Sequence, residues 1–315
     1  MSVEDSRLTV LFEGVAAATD ERRYLDALRL ADSARRLAPD HPTATLVYAR
    51  ALLQAGEARL ALAALHGRED PDSGVLTIDA AARAGFIDEA FVTAERLLAG
   101  TAVDSIAGLI PAVSRLWRQH GARHPGWVGI DSQLNLVGEI RAGGLALIEQ
   151  GGQSLGHVSP AGAPGVPVSF VRAAPTGAGA LSVRVGSQPL LGSALPWPPD
   201  FGVSGWVVLE GSRLKGEVRM DWNARAPVTL VVSQDGQSER FEVEPTGAGR
   251  SPFALEVPAV AAARRGDVGV AALLPDGRVS ELAGSPLQRI QPPAAPIAEP
   301  PPRPAKRLFS DASSS

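Results

Sequence analysis

A short segment that occurs twice constrains the fold of this chain more than any other feature. The first copy is Gly126-Trp127-Val128, which is followed by Gly138-Glu139-Ile140-Arg141. The second copy is Gly205-Trp206-Val207, which is followed by Gly216-Glu217-Val218-Arg219. Each copy opens a segment of ordinary domain length, and short apolar runs punctuated by glycine are typical of strands. The repetition therefore predicts a tandem duplication of one small β domain.

The two copies also end alike. Leu191-Gly192-Ser193-Ala194-Leu195 closes the first copy, and Ala283-Gly284-Ser285-Pro286-Leu287 closes the second. These limits predict a first β domain over 126–196 and its duplicate over 203–290. The segment between them, Pro196-Trp197-Pro198-Pro199-Asp200, is expected to be a stiff connector because residues that precede proline favour an extended backbone.

Apolar residues in both β segments alternate over short runs that turn residues separate, which is typical of antiparallel strands. Gln150-Gly151-Gly152-Gln153 predicts a tight hairpin in the first copy, and Asp235-Gly236 and Pro275-Asp276-Gly277 predict hairpins in the second. Short strands with frequent turns predict two small Ig-like antiparallel β-sandwiches. The chain has no cysteine, so these are not true immunoglobulin domains with a core disulfide.

Residues 1–125 have the periodicity of helices instead. Apolar residues recur at spacings of three and four from Tyr24 to Leu37, and Pro39 ends that helix. Further helical segments follow, and Val103–His120 is predicted to be a terminal capping helix with Trp117 on its apolar face. A helical domain is therefore expected before the first β domain.

Small residues at fixed spacing carry a resemblance within this helical region. The positions concerned are Ala27, Ala34, Pro39, Ala49, Leu52, Gly56, Ala61, Gly85 and Ala90. Ala61 follows Ala27 by 34 residues, which is the length of a tetratricopeptide repeat. Residues of about 20–100 therefore resemble tetratricopeptide repeats and are expected to form three helical hairpins. The resemblance implies a concave surface for a protein or peptide partner, and the alternative is a helical spacer that only packs on the neighbouring β domain.

Composition argues against several classes of function. The net charge is −4 and the basic residues form no stripe, so a nucleic-acid partner is not expected. No uncharged apolar run reaches the roughly 18 residues that a membrane span needs. Glu4, Asp5 and Glu13 argue against a signal peptide. A cytoplasmic protein without a membrane span is expected.

No group of residues in the sequence supports a catalytic, cofactor or metal site. Gly152-Gln153-Ser154-Leu155-Gly156 fits the nucleophile-elbow pattern, but a following helix and a later Asp and His are missing. His120 and His124 fit a solvated helix end better than a zinc site, because no carboxylate lies between or just after them. Asp70-Pro71-Asp72 fits a helix cap better than a glycosyltransferase metal site. The chain is not expected to be an enzyme, and no cofactor is expected.

The tryptophans are the remaining candidates for contact with a ligand. Trp127, Trp206 and Trp222 would form an aromatic platform for a sugar or a proline-rich peptide if their rings were exposed. A tryptophan early in a sandwich strand more often belongs to the core. Trp197, which prolines flank in the connector, is expected to be partly exposed and is the one possible ligand-facing aromatic residue.

The C-terminal segment 291–315 is rich in proline and ends in serines, a composition typical of a disordered tail. Five features follow one another in a particular order along the chain: the helical repeats, the Gly-Trp-Val opening, Leu274-Pro275-Asp276-Gly277-Arg278, Gly284-Ser285-Pro286-Leu287 and this tail. That order resembles the non-catalytic N-terminal region of large alphaproteobacterial family 2 glycosyltransferases. In those proteins a catalytic domain that binds a nucleotide-sugar follows, whereas this chain stops at Ser315.

These features predict a non-catalytic protein-interaction or scaffolding protein that is accessory to glycan or polysaccharide synthesis. The glycosyltransferase association is implied by the resemblance alone. Two alternatives stay open: a carbohydrate-binding accessory module that holds glycan on exposed aromatic residues of the β domains, and a truncated glycosyltransferase that lacks its catalytic domain.

Overall fold

A computed structural model describes most of the chain. The described residues are 3–39, 41–173, 178–210, 213–223, 225–234, 236–246, 251–256 and 267–288, with side chains described from Ser6 to Leu287. The predicted tail over 291–315 lies outside the described residues, and so does Asp235 of one predicted hairpin turn.

The N-terminal part of the chain is helical, as the periodicity predicts. Seven helices lie within the described residues: α1 (Val3–Asp20), α2 (Tyr24–Leu37), α3 (Pro42–Gln54), α4 (Ala58–Leu65), α5 (Pro71–Ala84), α6 (Ile87–Gly100) and α7 (Leu109–His120). Each helix from α1 to α6 packs against the next one along the chain. No helix in this described part is both long and apolar enough to cross a bilayer.

Small residues allow the helices to approach one another closely. Ala27 and Ala34 of α2, Ala49 of α3 and Ala61 of α4 are completely buried. Gly85 ends α5 with a φ of +86°, a left-handed backbone that glycine adopts without steric cost. Successive helical hairpins are therefore built from the positions that carry the resemblance to tetratricopeptide repeats, and the predicted fold class is confirmed for this part of the chain.

The predicted capping helix begins later than the sequence suggests. Gly108 has a φ of +84° and is the N-cap of α7, so the helix covers Leu109–His120 and not Val103–His120. Before it, the backbone N–H of Val103 donates a hydrogen bond of 2.9 Å to the carbonyl of Ile130 in the first β segment. The prediction of a helix over Val103–Gly108 is wrong, because Ala102 and Val103 contact strand β1 and the residues that follow form turns up to Gly108.

The first β segment forms two antiparallel sheets. Its strands are β1 (Gly126–Ile130), β2 (Asn135–Arg141), β3 (Ala146–Gln150), β4 (Gln153–Val158), β5 (Pro167–Ala173), β6 (Leu181–Val185) and β7 (Gln188–Pro189). Sheet A has the order β1-β2-β5, and sheet B has the order β4-β3-β6-β7. Gln150 pairs with Gln153, so the predicted tight hairpin is the β3–β4 turn.

The second β segment repeats this arrangement. Its strands are β8 (Val203–Glu210), β9 (Arg213–Met220), β10 (Val228–Gln234), β11 (Gln237–Val243), β12 (Ser251–Glu256), β13 (Asp267–Leu273), β14 (Val279–Glu281) and β15 (Leu287–Gln288). Sheet C has the order β12-β9-β8, sheet D has the order β11-β10-β13-β14, and β15 also pairs with β13. Helical repeats followed by small antiparallel sandwiches are therefore confirmed as the fold class.

The Gly-Trp-Val segments occupy the same register in the two sandwiches. Trp127 lies opposite Glu139 in sheet A, and Trp206 lies opposite Glu217 in sheet C. The backbone of each copy also bonds its own closing segment, because Val128 N–H donates to Leu191 and Val207 N–H donates to Ala283, both at 2.9 Å. The identical topology and register support the interpretation of a tandem duplication, while the limits of the domains stay a prediction.

The helical part and the first sandwich share a hydrophobic core. Trp127 and Leu191 of the first β segment are buried in one cluster with Leu98 of α6 and Trp117 of α7. A second cluster runs through the inner faces of all four sheets, from Val128 in β1 to Leu282 beyond β14. Apolar packing therefore continues from the helices through both sandwiches.

Candidate functional site

A groove lies between α4, α5 and α6 in the described part of the helical region. Its volume is about 710 Å³, within the roughly 300–1,000 Å³ that is usual for ligand sites. The lining residues are Arg59, Leu62, Ala63, Leu65, His66, Gly67, Arg68, Thr77, Phe86, Glu89, Thr93 and Arg96. Basic side chains outnumber the single lining carboxylate, Glu89.

The turn between α4 and α5 builds one wall of this groove. Gly67 takes a φ of +76°, which reverses the chain after α4. Asp70 then caps α5, because its carboxylate accepts hydrogen bonds of 2.9 Å from the Ser73 N–H and 2.7 Å from the Ser73 hydroxyl. Pro71 in the first turn suits a helix start, since it has no N–H to satisfy.

Arg68 belongs to this capping network. Its Nε donates to Asp70 Oδ2 at 3.2 Å and to Ser73 Oγ at 3.0 Å. Partial burial alone would raise the pKa of Asp70, but the hydrogen bonds from Ser73 and the charge of Arg68 outweigh it and lower that pKa below its usual value. The Asp70–Pro71–Asp72 motif is therefore a helix cap in this structure, as the sequence favours, and Arg68 is partly neutralised by it.

Arg59 and Arg96 carry the uncompensated charge of the groove. The Arg59 guanidinium lies 5.8 Å from the centroid of the Phe86 ring, close enough for a cation–π contact. Arg96 Nη1 donates to the backbone carbonyl of Glu69 at 3.4 Å. Within the described residues neither guanidinium pairs with a carboxylate at 4 Å or less, so both are positioned to bind an anionic group.

Phe86 supplies an apolar contact beside these charges. It is the N-cap residue of α6 and its side chain is 46% exposed, which is unusual for a phenylalanine. Leu62 of α4 lies partly buried in the same groove. A concave surface is expected from the sequence, but Arg59, Phe86 and Arg96 carry no sequence signal of their own, because only the packing of the hairpins brings them together.

The tryptophans differ in where the structure places them. Trp127 and Trp222 are buried, at 2% exposure each, while Trp206 is 48% exposed. Trp197, the predicted ligand-facing residue, is partly buried and packs against the hydrophobic core of the sandwiches. The four rings therefore do not form one exposed platform.

The other candidate motifs do not come together as a site. Ser154 lies exposed within strand β4, with strand and not helix after it, so the geometry of a nucleophile elbow is absent there. His120 ends α7, and the His124 ring packs beside Phe91 at a centroid distance of 5.4 Å. Among the residues that the structure describes, no three His, Asp or Glu side chains cluster as metal ligands would.

A family model of the tetratricopeptide repeat matches residues 18–75. The match covers α2, α3 and α4 entirely, together with the ends of the neighbouring helices α1 and α5. Tetratricopeptide-like repeats are thus supported over part of the predicted range of about 20–100. No curated protein matches the chain.

Two solved structures show weak similarity to the chain. The pullulanase from Anoxybacillus sp. LM18-11 aligns over 50% of this chain and 25% of its own length, at 8% identity and a TM-score of 0.22. The central fibronectin-III array of RIM-binding protein aligns over 47% of this chain and 55% of its own length, at 13% identity and a TM-score of 0.22. The aligned part thus spans only a quarter of the pullulanase, and scores at this level carry no argument about function.

Proposed function

We propose that this chain is a protein-interaction scaffold whose helical hairpins bind an acidic peptide segment in the groove between α4, α5 and α6. Tetratricopeptide repeats are protein-interaction modules, and the family model matches the hairpin that forms one side of this groove. The observation that carries the proposal is the pair of guanidinium groups, Arg59 and Arg96, that face the groove without a carboxylate partner among the described residues.

Charge defines the first requirement for the partner. An arginine presents a planar fork of donors that suits a carboxylate, and hydrogen bonds to charged groups contribute about 1.5–3 kcal/mol each. Arg59 and Arg96 stand on different helices, so a segment with two separated carboxylates would engage both. Glu89 at the same groove would repel a carboxylate placed beside it, so the acidic residues of the partner should lie next to Arg59 and Arg96.

Apolar contact defines the second requirement. Phe86 and Leu62 offer an exposed or half-exposed apolar surface next to the charges. An aromatic or aliphatic side chain between the partner's acidic residues would bury this surface and strengthen the ion pairs by excluding water. The partner proposed is therefore a short acidic segment with an apolar anchor.

The cellular context of the scaffold is a further part of the proposal. A role accessory to glycan or polysaccharide synthesis, without catalysis, rests on the resemblance to glycosyltransferase N-terminal regions. A cytoplasmic location rests on the sequence alone. Incubation of the purified chain with nucleotide-sugars tests the non-catalytic part: turnover above a buffer blank would contradict it.

Carbohydrate binding by the sandwiches is the less favoured alternative. Burial of Trp127 and Trp222 removes two of the three rings that a platform would use. Only Trp206 among these three keeps a large exposed face, and a single ring does not make a platform.

Panning of a phage-displayed library of random 12-residue peptides against the intact chain tests the acidic-peptide proposal. The expected result is enrichment of peptides with Asp or Glu flanking an apolar residue. The double variant Arg59→Glu/Arg96→Glu should lower the affinity of the enriched peptides at least about tenfold, since each lost ion pair is worth about 1.4 kcal/mol or more.

Arg50→Glu is the matched control for this experiment. Arg50 is an exposed arginine on the neighbouring helix α3 and does not line the groove. Its variant should bind the enriched peptides as the unmodified chain does. Enrichment of basic or uncharged peptides, or equal binding by the double variant, would overturn the proposal.

A further inference from the structure

The outer face of sheet A, opposite the sandwich core, is covered by helices. Trp127 of β1 points to this face and is 2% exposed, because α6 and α7 pack on β1. Glu139 of β2 lies beside it and accepts hydrogen bonds from Arg118 of α7. Leu191, which bridges to Trp127, is fully buried under the same helices.

The corresponding face of sheet C has no such cover. Trp206 occupies the register of Trp127, and it is 48% exposed. Val208, two residues further along β8, is 41% exposed. Ala283, which bridges to Trp206 as Leu191 bridges to Trp127, is also exposed. The exposed apolar residues of this surface, the Trp206 face, are Trp206, Val208, Pro252, Ala254 and Ala283. The half-buried Lys215 and Glu217 of β9 lie between those of β8 and those of β12.

Trp206 leaves apolar surface in water together with the exposed Val208 and Ala283, although Glu217 lies opposite it on β9. A fully buried aromatic side chain stabilises a protein by a few kcal/mol relative to an exposed one. In the same sheet the inward residues Val207, Leu214 and Val218 are fully packed, so the exposure of Trp206 does not come from a loosened strand. Exposed apolar clusters that polar residues border are a common mark of interaction sites.

We propose that the Trp206 face binds an amphipathic α-helix of a partner protein, in the position that α6 and α7 take on sheet A. Both sheets have the same strand order, the same register and the same Gly-Trp-Val segment, and the covered copy shows what kind of layer this surface accepts. This site is separate from the groove between α4, α5 and α6, and it does not depend on the function proposed for that groove.

Val208, the next residue of β8 on the same face as Trp206, restricts the partner further. In sheet A the equivalent of Val208 is Gly129, where a Cβ would overlap the Val103 side chain that crosses the strand. Sheet C has the bulkier Val208 at that place, so an identical copy of the Thr101–Gly108 segment does not fit there. The partner helix must instead present a small residue, Ala or Gly, over Val208 and larger apolar residues on each side of Trp206.

A displayed library of 14-residue helical peptides tests this inference. The peptides carry an Ala/Glu/Lys background with the positions i, i+3, i+4 and i+7 randomised, and the intact chain is the target. The expected result is enrichment of peptides with an apolar stripe that contains a small residue. Affinity should fall at least about tenfold for Trp206→Ala and be partly retained by Trp206→Phe.

Two further variants keep this test specific. Val279→Ser removes an exposed apolar residue of similar size on sheet D and should leave the binding unchanged. Arg59→Glu/Arg96→Glu should also leave it unchanged, which separates this site from the groove. Because Trp206 lies on the outer face, circular dichroism should show that its variants are folded.

Four results would overturn the inference. The first is that the enriched peptides bind Trp206→Ala as tightly as the unmodified chain. The second is that the chain self-associates in light scattering and Trp206→Ala abolishes the association. The third is that a glycan array shows sugar binding that depends on Trp206. The fourth is that helical peptides bind only after deletion of residues 291–315, which would make that segment the occupant.

Discussion

Arg118 of α7 donates two hydrogen bonds to the buried carboxylate of Glu139 in β2, with Nη2 at 2.8 Å from Oε1 and Nε at 3.3 Å from Oε2. The Glu139 side chain is 7% exposed and that of Arg118 is 52% exposed. The pair joins the last helix of the repeat region to the outer face of sheet A. It therefore lies at the junction between the helical part and the first sandwich.

The first prediction concerns this ion pair. Arg118→Ala leaves the Glu139 carboxylate buried without its guanidinium, so it should lower the free energy of unfolding by about 1–3 kcal/mol. Urea unfolding at neutral pH, followed by tryptophan fluorescence, measures the change. Arg115→Ala, which breaks the more exposed pair with Asp79, should cost less than about 1 kcal/mol. Equal losses of unfolding free energy in the two variants would contradict the larger contribution expected from the buried pair.

The second prediction concerns the cap of α5. Asp70→Ala removes the acceptor for the Ser73 N–H and should cost about 1 kcal/mol at pH 7. The folded-state pKa of Asp70 is lowered, so its charge contributes stability above the unfolded pKa of about 3.9. That contribution is lost as the pH falls through the folded pKa.

The pH dependence of this variant gives the measurement. The difference in unfolding free energy between the unmodified chain and Asp70→Ala should shrink between pH 5 and pH 2. Asp72→Ala removes an exposed carboxylate from the same helix turn and should show a smaller difference at pH 7. A difference that grows on acidification would have the wrong sign and would exclude the proposed role of the Asp70 charge.

The third prediction compares the two tryptophans of the repeated segment. Trp127→Ala removes a fully packed ring between the helices and sheet A and should cost about 3–5 kcal/mol. Trp206→Ala removes a ring with an exposed face and should cost about 1 kcal/mol or less, because surface substitutions have small effects. Thermal and urea unfolding of both variants check the contrast. Similar losses would mean that Trp206 is covered in solution.

The repeated segment shows how far the sequence determines the structure. Its glycines and tryptophans fix the strands and their register, because those are local properties of alternating residues and tight turns. Burial is different: Trp127 and Trp206 have the same immediate neighbours, Gly and Val, and opposite exposure. The difference comes from tertiary packing, because α6 and α7 pack on β1 of the first copy and no described helix covers the second copy in the same way.

Two other features of the structure differ from what the sequence predicts, and tertiary packing is again the cause. The periodicity over Val103–His120 suits a helix, but the N–H groups of Ala102 and Val103 bond the carbonyls of Trp222 and Ile130, both at 2.9 Å. A long-range strand-like contact therefore replaces the first helical turns. The groove between α4, α5 and α6 was not predicted from the sequence. Arg59, Phe86 and Arg96 have the pattern of ordinary surface residues on separate helices, and only the packing of the hairpins brings them together.

The last prediction concerns the glycines that face the tryptophan segments. A Cβ at Gly138 would overlap the carbonyl oxygen of Trp127 and lie 2.8 Å from the Phe170 ring. A Cβ at Gly216 would overlap the carbonyl oxygen of Trp206 in the same way and lie 2.6 Å from the Phe253 ring. The rings can shift slightly, but the carbonyls are held by strand pairing.

Gly138→Ala and Gly216→Ala should therefore each lower the unfolding free energy by about 1–3 kcal/mol, as overpacked positions do. Gly100→Ala is the control, because no atom lies within 4 Å of its Cβ position and alanine favours helix by up to about 1 kcal/mol. It should be neutral or stabilising in the same urea titration.

Since the two strand glycines sit at equivalent register positions, their losses should be similar. A chain that tolerates one substitution and not the other would show that the two sandwiches are not packed alike around the tryptophan segment, and the duplication would then extend to strand order but not to side-chain packing.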